Sequence, residues 1–216
     1  MAAPRRCVVV GTDTGVGKTV VSALLSRGLG ATYWKPIQCG LPPLSPEPGD
    51  RDTVRHLAQL PDRCLLPEAY RLGLPASPHT AAAREGVAIS RERLALPAVE
   101  GPLVVEPAGG LLVPLSHSLL QIELLRDWGL PAVLVTRTGL GTLNHTLLSL
   151  EALAARRIAV LGLVLNGPPH DDNRRTLAAI TGLPLLAQLP ADLPLTPRLL
   201  DRLWERSPLS QLWPAA

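Results

Sequence analysis

The sequence predicts an α/β protein whose mostly parallel β-sheet is flanked by helices on both faces. Short apolar runs recur along the chain without the polar alternation of a half-exposed strand, which is typical of buried parallel strands. Amphipathic stretches with apolar residues at helical spacing lie between these runs. With 216 residues and 46% hydrophobic content, the chain can bury one sizeable core, so we expect a single domain over residues 1–216.

Strands and helices alternate in the predicted order of elements. The first strand ends at Gly11 and continues through a glycine-rich loop into the first helix. The predicted strands are 7–10, 31–34, 102–106, 132–136, 158–165 and a short sixth, 187–189. The predicted helices are 20–29, 52–60, 79–85, 119–128, 143–156, 171–180 and 197–205. In a sheet of this kind, ligands gather at the carboxyl ends of the strands.

A proline-rich segment, residues 41–50, follows the second predicted strand. Its prolines exclude regular structure, because proline lacks the backbone N–H that helices and sheets require. Its position after the strand places it beside the carboxyl edge of the sheet, where loops commonly carry function. We therefore interpret it as an active-site loop rather than as a linker between two domains.

Residues 11–19, GTDTGVGKT, have the form of a phosphate-binding loop. The motif ends in Gly-Lys-Thr, although Gly11 lies one position earlier than in the common pattern. Backbone N–H groups over 14–19 can surround an anion in front of the positive end of the following helix. Lys18 would reach the outer phosphates, and the Thr19 hydroxyl would hold Mg²⁺. The alternative is a glycine-rich turn that caps an ordinary helix. The strand-to-helix context favours a nucleotide site, formed by Gly15, Val16, Gly17, Lys18 and Thr19.

Two charged residues stand at the ends of other predicted strands. Lys35 comes directly after the second strand, and Glu106 ends the third. A lysine at a strand end is usually a surface charge, but Lys35 lies at the edge that carries the phosphate loop. Glu106 follows four apolar residues and would be costly if buried without a partner, so we expect a cation near it.

Asp52, at the start of the second predicted helix, has two possible roles. It can cap the helix, which is the ordinary role of aspartate there, or it can be a metal ligand. Together with Thr19 and Glu106 it would supply oxygen ligands suited to Mg²⁺. The five histidines lack metal-ligand spacing. We therefore expect lysines, Mg²⁺ and backbone amides to carry the chemistry, because phosphoryl transfer needs positioning and charge neutralisation more than a protein nucleophile.

Composition argues against several other classes of protein. The formal charge is only +3 and the arginines are scattered, while four tryptophans, two tyrosines and no phenylalanine offer little surface for base stacking. Nucleic acid is therefore not an expected partner. Three widely spaced cysteines fit neither a disulfide framework nor a metal site, and no run of eighteen apolar residues occurs. We expect a cytoplasmic protein that does not enter a membrane.

Six motifs in order make the chain resemble the dethiobiotin synthetase family of P-loop NTPases. They are GTDTGVGKT at 11–19, WKP at 34–36, SPH at 77–79, EPAGG at 106–110, GLGTLNH at 139–145 and VLN at 164–166. The resemblance runs from residue 8 to about residue 190, and the family's phosphate loop has the same displaced glycine. Where the family commonly has glycine after the glutamate, this chain has Pro107.

The resemblance implies a reaction in which ATP and Mg²⁺ drive closure of a cyclic urea from 7,8-diaminopelargonic acid and CO₂. It implies catalytic roles for Lys18, Lys35 and Thr14, and metal ligation by Thr19, Asp52 and Glu106. Asn166 and Pro190 would contact the base of the nucleotide, and Cys39 would face the substrate. The family also implies a homodimer, in which the substrate carboxylate is received by the partner's helix start, corresponding to Gly141, Thr142, Leu143 and Asn144.

Two rival functions use a similar fold. A nucleotide-switch ATPase of the partition or cell-division type carries a signature lysine five residues before the loop lysine, where this chain has Asp13. An ATP-dependent amidase acting on another carboxylate would need an ammonia source, commonly an attached glutaminase domain, for which 216 residues leave no room. A purely structural protein would leave the phosphate loop, Lys35 and Glu106 at one edge without a reason.

Overall fold

The computed structural model describes residues 5–42, 45, 47–190 and 194–212, and its central feature is a six-stranded parallel sheet. The strands of the described part are β1 (Arg6–Gly11), β2 (Thr32–Trp34), β3 (Ile37–Cys39), β4 (Tyr70–Leu72), β5 (Leu103–Val105), β6 (Pro114–Ser116), β7 (Leu119–Leu120), β8 (Ala132–Arg137), β9 (Val160–Asn166) and β10 (Leu185–Leu189). The central sheet has the order β10-β9-β8-β1-β5-β2.

Helices cover this sheet on both faces. They are α1 (Lys18–Leu29), α2 (Asp50–Ala58), α3 (Pro78–Arg84), α4 (Gln121–Trp128), α5 (Thr142–Ala155), α6 (Asp171–Thr181), α7 (Pro197–Arg206) and α8 (Leu209–Leu212). A short 3₁₀ turn spans Asp62–Cys64. The predicted fold class is confirmed: a parallel sheet between two layers of helices. In the described part of the chain, no helix has the length and apolar character needed to cross a membrane.

Alternate residues of β1 enter two different hydrophobic cores. Val8 and Val10 pack on the face covered by α4 and α5, whereas Cys7 and Val9 pack against α1. Because successive side chains of a strand point to opposite faces, a strand buried on both sides must be apolar at every position. This explains why the sequence shows continuous apolar runs rather than alternation.

The strand register brings the charged strand ends together. Strand β1 lies between β5 and β8, so the loop after Gly11 opens at the centre of the carboxyl edge. In the neighbouring pair of strands, Trp34 of β2 lies opposite Val105 of β5. Lys35 and Glu106 are the next residues of these two strands, and they therefore leave the sheet side by side.

Four short strands were not predicted, and three helices begin two residues from their predicted starts: α1 at Lys18, α2 at Asp50 and α4 at Gln121. Strands β3 and β4 form a separate parallel pair, and β6 and β7 form an antiparallel one. Runs of two or three residues have too few positions to show a period, so the sequence could not reveal them. The predicted helix 119–128 begins instead at Gln121, because the Glu123 carboxylate accepts the backbone N–H of Leu120 and caps the helix there. Residues 43, 44 and 46 of the predicted active-site loop lie outside the described residues.

Candidate functional site

A cavity of about 800 Å³ opens at the carboxyl edge of the sheet, around the phosphate loop. It is bounded by the loop and the start of α1, by the ends of β2, β3 and β5, and by the first residue of α2. Eight of the predicted site residues line it: Thr14, Gly15, Gly17, Lys18, Thr19, Lys35, Cys39 and Glu106. The fold therefore places residues separated by as much as 92 positions of sequence around one volume.

The phosphate loop has the backbone conformation that its glycines permit. Gly15 and Gly17 have φ values of 69° and 101°, which side chains other than glycine rarely adopt. The Asn166 amide donates a hydrogen bond of 2.9 Å to the carbonyl of Val16, and a β-carbon at Gly17 would lie 2.4 Å from that amide. Asn166, at the end of β9, therefore holds the loop in place through its hydrogen bond to Val16. Only glycine fits at position 17, because a larger residue would collide with the Asn166 side chain.

Lys35 lies between two carboxylates. Its ammonium nitrogen is 2.6 Å from Asp50 Oδ2 and 3.0 Å from Glu106 Oε1, and its side chain is only 5% exposed. Burial acts to lower the pKa of Lys35, but the charges of Glu106 and Asp50 and their hydrogen bonds raise the pKa above its ordinary value. Lys35 is therefore held as a cation inside the site.

The Glu106 carboxylate accepts three hydrogen bonds, although the residue is only 1% exposed. Its Oε1 atom accepts from the Thr19 hydroxyl at 2.8 Å and from Lys35 at 3.0 Å. Its Oε2 atom accepts from the Tyr33 hydroxyl at 2.8 Å. The cation that the sequence required near this buried acid is Lys35, which confirms that expectation.

Asp50, rather than Asp52, reaches the cavity. Asp50 is the first residue of α2, and its carboxylate bonds Lys35. Asp52 accepts the backbone N–H of Gly49 at 3.1 Å and pairs with the Arg55 side chain at 2.9 Å. The bond from Gly49 is the main reason that the pKa of Asp52 is lowered. Of the two roles considered for Asp52, the structure shows helix capping.

The oxygen atoms around Lys35 suit a small hard cation. Thr19 offers a hydroxyl, and Asp50 and Glu106 offer carboxylates, which are the ligands that Mg²⁺ prefers. The ammonium group between these acids demonstrates that the site accommodates positive charge. Among the described residues, no cluster of three or more His, Cys, Asp or Glu side chains could hold a metal alone.

Several other predicted residues lie in different places. Cys39 ends β3 and lines the cavity, and burial raises the pKa of its thiol to about 11. The register of β10 places Leu189 opposite Asn166, so Pro190 follows at the same edge. Residues 141–144 begin α5, away from the residues that line the cavity in this single chain. The Thr142 side chain is buried and bonds the Thr136 hydroxyl at 2.8 Å.

No individual role was predicted for three residues of the site: Asp50, which ends the predicted active-site loop 41–50, Tyr33 and Arg137. The exposed Arg137 ends β8, and its guanidinium donates a hydrogen bond of 2.9 Å to the carbonyl of Thr14. The same strand-end rule that selected Lys35 and Glu106 would have found Arg137. Tyr33 had no such signal, because a tyrosine within a strand is typical of any β-sheet.

Lys18 is a buried cation to which the described residues offer no carboxylate at hydrogen-bond distance. Its ammonium group donates to the carbonyl of Asp13 at 3.1 Å. Burial is the largest influence and the charge of Lys35 the next, and together they lower the pKa of Lys18 from 10.5 to about 8. Such a difference corresponds to about 3 kcal/mol against the charged form.

Lys18→Met should therefore stabilise the nucleotide-free protein. Below about pH 8 the native state holds the desolvated Lys18 ammonium and carries the full free-energy cost of burying it. This cost falls as the pH rises from about 8 towards 10.5, because the native state has already lost the proton and the unfolded chain then loses it too. After about 1 kcal/mol is subtracted for the lost hydrogen bond, we expect a gain of about 2 kcal/mol at pH 7 that shrinks by pH 10. Urea unfolding measures it. Lys35→Met is the control with the opposite sign, because it leaves two carboxylates without their cation. A loss of stability in Lys18→Met at pH 7 would contradict the prediction.

The fold and the site together define a P-loop nucleotide-binding protein. Strand β1 continues through a glycine loop into a helix whose first two residues, Lys18 and Thr19, face a cavity at the carboxyl edge. The solved structure of a ParA family ATPase from Chlorobium tepidum TLS has the same fold, with a TM-score of 0.53 and 16% identity over 99% of this chain and 95% of that one. A family model described as an AAA domain matches residues 5–198.

Comparison with known sequences is more specific. The ATP-dependent dethiobiotin synthetase BioD of Rhodopseudomonas palustris strain HaA2 is 52% identical over 85% of this chain and 84% of that protein. BioD of Brucella ovis is 47% identical, with 94% and 93% covered. A biotin biosynthesis bifunctional protein, BioCD of Bordetella avium, is 54% identical over 87% of this chain, which spans 40% of that longer protein. The chain belongs to the ATP-dependent dethiobiotin synthetase family.

Proposed function

We propose that the chain is an ATP- and Mg²⁺-dependent ligase that converts 7,8-diaminopelargonic acid and CO₂ to dethiobiotin, with release of ADP and phosphate. Family membership supports the reaction. The observation that carries the proposal is the convergence of Lys18, Thr19, Lys35 and Glu106 on one cavity. Lys35 adds a second buried cation beside the phosphate loop, which suits a site that holds a carbamate as well as the outer phosphates of ATP.

The proposed reaction has three steps. CO₂ adds to one amine of the substrate to form a carbamate, with loss of a proton. The γ-phosphoryl group of ATP passes to a carbamate oxygen, giving a carbamic-phosphoric anhydride and ADP. The second amine then attacks the carbonyl carbon, the carbon–oxygen bond to phosphate breaks, and the amine proton leaves to solvent. The product is the diamine plus CO₂ less water, because one carboxyl oxygen departs with the phosphate.

Each lysine has a separate task in this scheme. Lys18, at the start of α1, lies where the outer phosphates of ATP would bind. Lys35 would neutralise the carbamate and the transferring phosphoryl group, and its two carboxylate partners keep it charged at neutral pH. Thr14, which also lines the cavity, would donate a further hydrogen bond. Negative charge that develops during transfer would thus meet fixed positive groups in the cavity.

Mg²⁺ would be held by Thr19 and Glu106, with Asp50 as the second carboxylate. When bound, it would supply positive charge to the phosphates of ATP. The Asn166 amide, which bonds Val16, would place its free oxygen near the base of the nucleotide, beside Pro190. The three free cysteines fit a reducing compartment, and we place the reaction in the cytoplasm.

An exposed apolar patch supports a homodimer. Leu112 and Leu148 are 53% and 56% exposed. Leu112 and Leu148 also line a second cavity, of about 540 Å³, beside the phosphate loop. Exposed leucines grouped in this way are typical of an interface between chains. In the proposed dimer, the α5 start of the partner subunit, residues 141–144, would receive the substrate carboxylate at the positive end of the helix.

Leu148→Asp should disrupt this dimer and reduce turnover, because a charge would be buried in the apolar contact. We expect the apparent mass in sedimentation to fall from two chains to one. We also expect the apparent KM for the diamine to rise at least tenfold, which corresponds to a lost contact of more than about 1.4 kcal/mol. Ile180→Asp, at a residue 60% exposed on α6, is the control. A wild-type protein that sediments as a single chain would overturn the dimer.

Phosphate release tests the proposed reaction directly. The protein is incubated with ATP, Mg²⁺ and bicarbonate, with and without 7,8-diaminopelargonic acid, and the product mass is recorded. Release that requires the diamine, together with a product heavier by CO₂ less water, is the expected result. Hydrolysis that ignores the diamine and yields no such product would overturn the proposal while leaving the nucleotide site in place.

A further inference from the structure

Tyr33 is a buried residue for which the proposed function gives no role. It is fully buried in β2, and its hydroxyl donates to Glu106 Oε2 at 2.8 Å. This is the single polar partner that the described residues provide for the phenol. A phenylalanine would fill the same apolar space, so packing alone does not explain the hydroxyl.

The pairing of β2 with β5 places the side chains of Tyr33 and Glu106 on the same face of the sheet. Tyr33 lies opposite Val104 in the pairing of β2 with β5. Glu106 follows Val104 by two positions and therefore points to the same face of the sheet. The side chains of Tyr33 and Glu106 meet on the α1 side, where Tyr33 packs in the hydrophobic core with Val104.

The two oxygens of Glu106 have different surroundings. Oε1 faces the cavity and receives the Thr19 hydroxyl and the Lys35 ammonium. Oε2 faces the core, and the Tyr33 hydroxyl is the one donor that the described part of the chain gives it. Without that donor, a buried carboxylate oxygen would be unpaired, at a cost of about 1–3 kcal/mol or more. The carboxylate would then rotate or withdraw to find another partner.

We infer that Tyr33 is a positioning residue of the cation site: its hydroxyl fixes the Glu106 carboxylate so that one oxygen is presented to Thr19 and to a divalent cation. The inference rests on the proposed role of Glu106 toward Mg²⁺. Burial, followed by the charges of Glu106 and Asp50, raises the pKa of Tyr33 well above 10.0. The phenol therefore remains a donor throughout the neutral range.

Tyr33→Phe tests the inference, and Tyr70→Phe is a matched control. Tyr70 is the second of the two tyrosines in the chain and is 4% exposed; its hydroxyl accepts the backbone N–H of Ser90 at 2.9 Å, apart from the cation site. ADP binding is measured by calorimetry over a series of Mg²⁺ concentrations. We expect Tyr33→Phe to raise the Mg²⁺ concentration for half-maximal enhancement about tenfold, the effect typical of losing a partner of a metal ligand. Binding of ADP without Mg²⁺ should not change.

An unchanged Mg²⁺ series in Tyr33→Phe would overturn the inference, and so would an equal loss in Tyr70→Phe, which would indicate stability alone. If Tyr33→Phe fails to fold, 3-fluorotyrosine can be incorporated into Tyr70→Phe, so that Tyr33 gives the single fluorine resonance. The resonance should move when Mg²⁺ joins ADP but not with ADP alone, and a fixed resonance overturns the inference. Neither readout uses the diamine, so failure here is distinct from failure of the ring-closing reaction.

Discussion

Lys35→Ala should abolish ring closure while the sheet remains folded. The substitution removes the buried ammonium that would stabilise the carbamate and the transferring phosphoryl group, and no other lysine is available except Lys18. Loss of one fixed charge of this kind lowers turnover by about 10²–10³-fold or more. The measurement is diamine-dependent phosphate release together with product mass, at saturating ATP.

Lys35→Ala will also leave the negative charges of Asp50 and Glu106 uncompensated in the ligand-free protein, because it removes the cation that the two carboxylates share. We expect Mg²⁺ to raise the melting temperature of the variant more than that of the wild type, since the metal restores positive charge between the acids. Lys35→Arg keeps the charge and Arg55→Ala removes an exposed cation elsewhere, and both serve as controls. A folded Lys35→Ala protein with undiminished turnover would remove Lys35 from its proposed role.

Asp50→Asn should reduce activity about 100-fold, whereas Asp52→Asn should leave activity within a few-fold, because only the first carboxylate faces the cavity. The two acids are two positions apart and start the same helix, so each variant is the control for the other. The measurement is the Mg²⁺ dependence of turnover. Asp50→Asn should also weaken the Mg²⁺ enhancement of ADP binding.

Asp52→Asn, which should leave activity nearly unchanged, should instead lower the stability of the protein. Asp52 carries a negative charge in the first turn of α2 and pairs with Arg55, so Asp52→Asn should lower the free energy of unfolding by about 1 kcal/mol, through the lost ion pair and the lost interaction with the helix dipole. Should Asp52→Asn lose Mg²⁺ dependence while Asp50→Asn keeps it, the metal ligand would be Asp52 after all. Urea unfolding at pH 7 supplies the second readout.

The central strands and the phosphate loop could be predicted because their signals are local. Strand β1 is apolar from Cys7 to Val10 and is followed by a motif with fixed spacing, so strand, loop and helix follow from a few adjacent residues. Lys35 and Glu106 could be selected because each follows an apolar run, and strand ends share one edge in a parallel sheet. The short strands β3 and β4 could not, since their pairing depends on partners 33 residues apart.

By itself, the sequence determined the fold class, the phosphate loop and the family, because buried parallel strands and glycine-dependent turns leave patterns within short stretches of chain. Only the tertiary structure decided which acid faces Lys35 and which phenol holds Glu106. Asp50 and Asp52 have the same chemistry and the same helix, and a rotation of about 200° around the helix axis separates their directions. That direction follows from where α2 begins and packs, which the local sequence does not contain.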